Sequence, residues 1–369
     1  TEAIRDVIEA KTDLSNSLQT CRESPPGAQA VPAHQLATQR ITAVKSWAYQ
    51  LQGANPGEIA SSPYDLVVVD HTVNGDPDEP LKPADVERMK KKPGGGRRIV
   101  LAYVSIGEAE DYRFYWDQKW IETATPGEPG SASPAQESKP PPGAANAAGP
   151  TSTLAPPKPD RWVSPTAPPW LGDESETWGG NFAVKYWDPA WQALIFGSPD
   201  AFVERVMALG FDGVYLDRVD AYYEHIDERP TAADDMVDFV IRLAAAARAA
   251  RPGALIVPQN GEELLTRPTY VAAIDAVAKE DLLFGSPSEG VPNSQAQIAN
   301  TLGLLSHARV AGRPVMVIEY VDDEAQIRAA QRDLVQRGFI PYFGPRSLDR
   351  LASRVLPPDA QKPVEARRK

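Results

Sequence analysis

Eight short apolar runs recur along this 369-residue chain, and the helical segments between them restrict its fold more than any other feature. The runs cover residues 46–52, 65–72, 98–105, 213–217, 255–259, 274–279, 314–320 and 339–343. Helical periodicity appears over 83–92, 189–209, 232–250, 294–310 and 323–337, with Gly210 and Gly338 as caps and Lys90, Lys91, Lys92 and Gly94 closing the first. Strands alternating with helices imply a parallel sheet, because parallel neighbours need crossover connections. Eight such strands fit a closed (β/α)8 TIM barrel in one domain, the sixth being the weakest. Beyond this rhythm no internal repeat is visible.

The expected barrel domain spans 46–352, with a long Pro/Gly/Ala-rich insertion at 122–177 between strands three and four. An N-terminal extension, 1–45, opens with a short helix over 3–18 and is expected to be partly disordered, and 353–369 reads as a flexible tail. The apolar runs are strand-length and too short to span a bilayer. A formal net charge of −12 argues against nucleic acid and leaves room for a neutral or cationic ligand. Cys21 is the sole cysteine, and the four histidines are scattered, so neither a metal nor any other cofactor is expected. The chain begins at Thr1 without an apolar leader, which fits either a cytoplasmic protein or one whose leader has been removed. A monomer is the working expectation.

In (β/α)8 barrels the site lies at the C-terminal strand ends. Asp70, Glu108, Asp217, Glu262, Glu280 and Glu319 each stand at or just beyond one. Alternation turns Val68 and Asp70 inward on strand two, and Gly213, Tyr215 and Asp217 inward on strand four. Inward carboxylates at one rim are what acid/base chemistry needs. Singly, such residues could equally be helix N-caps. Aromatic residues supply a second signal: all eight tryptophans lie between Trp47 and Trp191, and Tyr103, Tyr112, Tyr215 and Tyr320 sit at or beyond strand ends. Flat rings suit the C–H faces of sugars. Trp187 and Trp191 read as core, while Trp116 and Trp178 suit either role. Arg218, next to Asp217, should point away from the interior and support a loop through an ion pair.

The strings VLAYVSIGEAEDYRFYW (100–116), GNFAVKYWDPAW (180–191) and GFDGVYLDRVDAYY (210–223), with PQNGEELL (258–265) and AVAKEDLLFG (276–285), resemble the endo-α-1,4-polygalactosaminidase family of glycoside hydrolases. The resemblance implies a barrel that cleaves α-1,4-linked galactosamine polymers outside the cytoplasm, in the periplasm or the extracellular space. It points to Asp217 and Glu280 as the catalytic pair and to Asp70, Glu108 and Asn260 as sugar-subsite residues. Tyr103, Tyr112, Trp178, Tyr215, Glu262, Glu319 and Tyr320 complete the expected substrate-binding set. A retaining mechanism follows if Asp217 attacks the anomeric carbon and Glu280 serves as acid and then base. The first rival is a non-catalytic polysaccharide-binding barrel. The second is a barrel enzyme working through a Schiff-base lysine, for which Lys279 is the one suitably placed strand-end residue.

Overall fold

The computed structural model describes residues 32–73, 75–123 and 161–352, and within them all eight apolar runs contain strands. In chain order the strands are β1 (Trp47–Gln50), β2 (Leu66–Val69), β3 (Ile99–Ser105), β4 (Glu108–Glu110), β5 (Ile121–Thr123), β6 (Arg161–Val163) and β7 (Leu171–Glu174). Then follow β8 (Asn181–Val184), β9 (Gly213–Asp217), β10 (Leu255–Pro258), β11 (Val277–Glu280), β12 (Val315–Glu319) and β13 (Ile340–Phe343). The order β1-β2-β3-β9-β10 makes one parallel sheet and β11-β12-β13 a second, so the α/β class with a parallel sheet holds. Runs such as Leu66–Val69 are apolar on both faces because helices cover one side and a packed interior fills the other.

The two sheets share that interior. A parallel bridge joins Gln259 to Ala278, and the Trp47 indole N–H donates to the Ile340 carbonyl across β1 and β13 at 2.8 Å. The Trp47 ring lies 6.3 Å from Tyr215 in one sheet and 5.7 Å from Tyr342 in the other, with Tyr49 5.0 Å from Tyr215. These rings fill the floor beneath the C-terminal strand ends.

At the opposite end, three aspartates staple neighbouring strands. Asp65, Asp212 and Asp275 precede β2, β9 and β11. Each donates its backbone N–H to a residue at the start of the adjacent strand and accepts that residue's N–H on its carboxylate. The partners are Ser46, Val100 and Ile256, with N–H to carboxylate distances of 3.2, 3.0 and 2.8 Å. A cation neutralises each: Lys92 for Asp65, Lys90 for Asp212 and Arg248 for Asp275. Lys90 is therefore buried in an ion pair, beyond a helix that ends at Met89, and does not serve as a surface charge on the helix dipole.

Other expectations need correction. The run 189–209 is two helices, Pro189–Ile195 and Phe202–Ala208, because Gly197 takes φ 105° and Pro199 cannot continue the first. The sixth strand starts later than expected because Asp275 is spent on its staple. The stretch 161–177 is ordered: β6 pairs with β5, β7 with β8, and Trp170 packs 5.0 Å from Trp191. Likewise the helix Ala33–Thr42, inside the supposed extension, buries Ala37 and Ile41 and sends Arg40 to Asp212. The helix expected over 3–18, residues 124–160 of the insertion and the tail 353–369 lie outside the described residues. No helix among the described residues is long and apolar enough to cross a membrane.

Candidate active site

Three adjacent strands end alike. Asp217 closes β9, Gln259 follows β10 and Glu280 closes β11, and the next residue in each case is left-handed: Arg218 at φ 61°, Asn260 at φ 60° and Asp281 at φ 53°. Backbone of this kind costs roughly 1–3 kcal/mol per residue and collects at functional sites. Its effect is to swing the following side chain back over the strand end. Alternation alone put Arg218 outside; the left-handed turn brings it to the cleft, where it binds Glu108 at 2.9 Å and also Asp220 and Glu224. The expected ion-pair role holds and the expected direction does not. The turn needs Gly107 beneath it, because a Cβ there would meet the Arg218 carbonyl at 2.3 Å.

Three donors converge on Asp217: the Tyr103 hydroxyl at 2.7 Å, the Gln259 amide nitrogen at 2.9 Å and the Arg218 N–H at 2.8 Å. The same Gln259 nitrogen reaches Glu280 Oε2 at 2.7 Å. Asn260 donates to that oxygen at 3.2 Å, and the Tyr320 hydroxyl donates to Oε1. Burial, reinforced by the charge of Asp217, pushes Glu280 up to about 7. Glu108 is pushed up to about 7 as well, by burial against the opposing pull of Arg218.

A cleft of about 780 Å³ opens over these residues. Of the expected set it takes in Asp70, Tyr103, Glu108, Tyr112, Trp178, Asp217, Asn260, Glu262, Glu280 and Tyr320. Trp178, Tyr112 and Tyr223 are exposed on it, whereas Trp116 packs 4.8 Å from Phe182 and is structural. Asp70 is tied up: burial would raise it, but Arg113 at 2.7 Å holds it well below the usual carboxylate range. Glu262 is likewise spent on Lys279 at 2.9 Å.

Two expected residues do not reach the cleft. Tyr215 is fully buried in the floor and donates to Gln259. Glu319 is fully buried and accepts the N–H groups of Leu283 at 2.8 Å and Phe284 at 3.2 Å, holding the turn after Glu280; burial pushes it up to about 8. As a strand residue one position before Tyr320, it has the opposite facing to the cleft side chain.

The reading of the sequence missed Gln259, Arg113 and Glu110 as cleft residues, whereas Lys279, named there as a strand-end lysine, does line the cleft. It also missed a repeat. YDLVVVD (64–70), FDGVYLD (211–217) and IDAVAKE (274–280) share one pattern, a strand-stapling aspartate followed five residues later by a cleft carboxylate. That signal would have linked Asp70, Asp217 and Glu280 without any resemblance. Among the described residues, no cluster of His, Cys, Asp and Glu has the geometry to hold a metal ion.

The model of glycoside-hydrolase family GH114 matches residues 154–356, more than half of the chain. An uncharacterized protein of Deinococcus radiodurans is 35% identical over 314 residues, covering 84% of this chain and 83% of that protein. One from Methanocaldococcus jannaschii is 30% identical over 321 residues, covering 83% and 77%. Among solved structures, the glycoside hydrolase domain of PelA from Pseudomonas aeruginosa is similar with a TM-score of 0.53 at 20% identity, covering 84% of this chain and 98% of that one. Aspergillus fumigatus Ega3, solved in complex with galactosamine, gives 0.51 at 16% identity, covering 83% and 92%. At those identities the two structures speak for the fold alone, and it is the family match over more than half of its length that places this chain in glycoside-hydrolase family GH114.

Proposed function

We propose that this protein is an endo-acting, retaining hydrolase of α-1,4-linked galactosamine polymers, with Asp217 as nucleophile and Glu280 as acid/base, built on one closed (β/α)8 barrel. The carrying observation is the single Gln259 nitrogen within 2.9 Å of Asp217 and 2.7 Å of Glu280. It keeps those two oxygens within about 6 Å of each other, on the retaining side of the ~6.5–9.5 Å of inverting pairs. The Trp47–Ile340 hydrogen bond and the Gln259–Ala278 bridge support barrel closure.

Asp217, met by three donors, presents a carboxylate oxygen to the anomeric carbon. Glu280, poised near neutrality, hands its proton to the leaving oxygen and then takes one from the incoming water. Acidic residues outnumber basic ones on the cleft, and its cations Arg113, Arg218, Lys279 and Arg346 are all paired with carboxylates. That balance suits the ammonium groups of deacetylated galactosamine, the sugar found with Ega3. Three exposed aromatic rings along an open cleft suit a chain bound at several sugars. A polymer of this kind does not cross membranes, so the enzyme would act outside the cytoplasm.

A Schiff-base mechanism is disfavoured. Burial would lower the Lys279 ammonium, but its pairing with Glu262 raises it above the usual range and keeps it charged. The test is reducing-sugar release from partially deacetylated poly-α-1,4-galactosamine by the parent, Asp217→Asn and Glu280→Gln, with proton NMR of the first anomer formed. Release by the parent alone, with the α-anomer first, supports the reading. Binding without release from any hexosamine polymer transfers it to the non-catalytic alternative.

A further inference from the structure

Gln259 is 2% exposed and lies between the two carboxylates, yet it touches neither as a charge. Its Oε1 accepts the hydroxyl of fully buried Tyr215, and the carboxylate oxygens of Asp217 and Glu280 on the other side fix which end of the amide carries the nitrogen. Both N–H bonds of Nε2 are then committed, one to Asp217 and one to Glu280. A flipped amide would set its carbonyl against two carboxylates.

We propose that Gln259 is a positioning residue that spans both carboxylates with one amide nitrogen, sets their separation and follows the charge as it moves between them. The proposal rests on the hydrolase reading above. In the first step an Asp217 oxygen bonds to the anomeric carbon, the glycosidic C–O bond breaks, and the leaving oxygen takes the Glu280 proton. The pair's single negative charge thereby passes from Asp217 to Glu280, and water attack returns it. A donor shared by both sites stabilises the charge wherever it sits without moving.

The same geometry determines where Glu280 carries its proton. Oε2 already accepts N–H bonds from Gln259 and Asn260, at 2.7 and 3.2 Å, and neither donor can accept in return. Oε1 faces the Tyr320 hydroxyl, which can turn from donor to acceptor. The acid proton therefore sits on Oε1.

The experiment compares the full chain with Gln259→Leu and Tyr215→Phe. Loss of an N–H donor raises the Glu280 titration, so in Gln259→Leu the limb of the kcat/KM profile set by Glu280 moves up by about one pH unit. In that variant kcat falls by roughly 100-fold while KM stays within about threefold. Tyr215→Phe, which frees the amide to turn, loses about tenfold in kcat. Titration of carboxyl-13C-labelled glutamate by NMR follows Glu280 without any substrate and must show the same rise in Gln259→Leu. An unmoved Glu280 titration overturns the proposal even if turnover falls. Conversely, a parent that hydrolyses no polymer while the titration shifts overturns the hydrolase reading and leaves the bridge standing.

Discussion

The three strands β2, β9 and β11 carry a carboxylate at each end; on β2 both are paired with cations, Asp70 with Arg113, whereas on β9 and β11 the two ends use it in opposite ways. At the N-terminal ends Asp65, Asp212 and Asp275 each take a backbone N–H and a neutralising cation. Asp65, half-buried, is accordingly held below its usual range, the bonds to Lys92 and Lys45 outweighing burial. At the C-terminal ends of β9 and β11, Asp217 and Glu280 share one neutral amide, and among the described residues no cation is bound directly to either. Here burial and mutual repulsion dominate, and Glu280 is pushed up to about 7. Five residues of strand separate a group whose charge holds the fold together from one whose charge works against it.

The comparison breaks most sharply at Glu280→Gln. Turnover should fall by about 10³-fold or more, since the acid is gone. Stability should move the other way. A carboxyl whose folded pKa is raised stabilises the fold most at low pH, and that contribution is lost as pH rises from about 4.5 through about 7. At pH 8 the parent thus carries a penalty on the order of 3 kcal/mol that the variant lacks. Chemical denaturation should find Glu280→Gln more stable than the parent at pH 8 and about equal to it near pH 4. Equal stability at pH 8 would remove the contrast.

Asp212→Asn probes the other end. It leaves Lys90, 2% exposed, without its counter-charge, a loss worth about 3–5 kcal/mol for buried pairs. The midpoint of denaturation should drop accordingly, while kcat of the folded fraction stays within about twofold. A kcat loss comparable to that of Glu280→Gln would mean that the two ends are not separable.

Much of this division was legible in the sequence. The eight strands, the helix Ala232–Ala250 and the carboxylates at strand ends follow from local pattern, because period and turn residues are local properties. The facing of Arg218 was not legible, since a left-handed arginine is a tertiary outcome of Gly107 and Glu108 packing against it. Glu319 failed for a related reason: strand alternation sends it to the turn after Glu280 and leaves the cleft to Tyr320. Gln259 carried no signal of its own, because a glutamine after a strand becomes informative only once two carboxylates flank it.

Gly107→Ala tests whether strain belongs to the upper end. Its Cβ would sit 2.3 Å from the Arg218 carbonyl, so the turn after Asp217 must shift, at a cost of roughly 2–3 kcal/mol. Stability and kcat should both fall, kcat by about 10- to 100-fold. An active variant of parental stability would show that the left-handed turn is not needed to aim Asp217.

Trp178→Ala sharpens the comparison within the upper end, between floor and rim. Trp178 is 55% exposed, its backbone N–H bonds Ser175, and its ring lines the cleft, so the fold draws little from it. A sugar covering roughly 50 Å² of the ring, at about 25 cal/mol per Å², contributes about 1.3 kcal/mol, close to tenfold in affinity. KM for long polymer should therefore rise by about tenfold, with kcat and the denaturation midpoint nearly unchanged. Short oligomers that do not reach the ring should show no rise. A kcat loss with KM unaltered would instead put the ring's contribution in the transition state, and the rim would then belong with the floor.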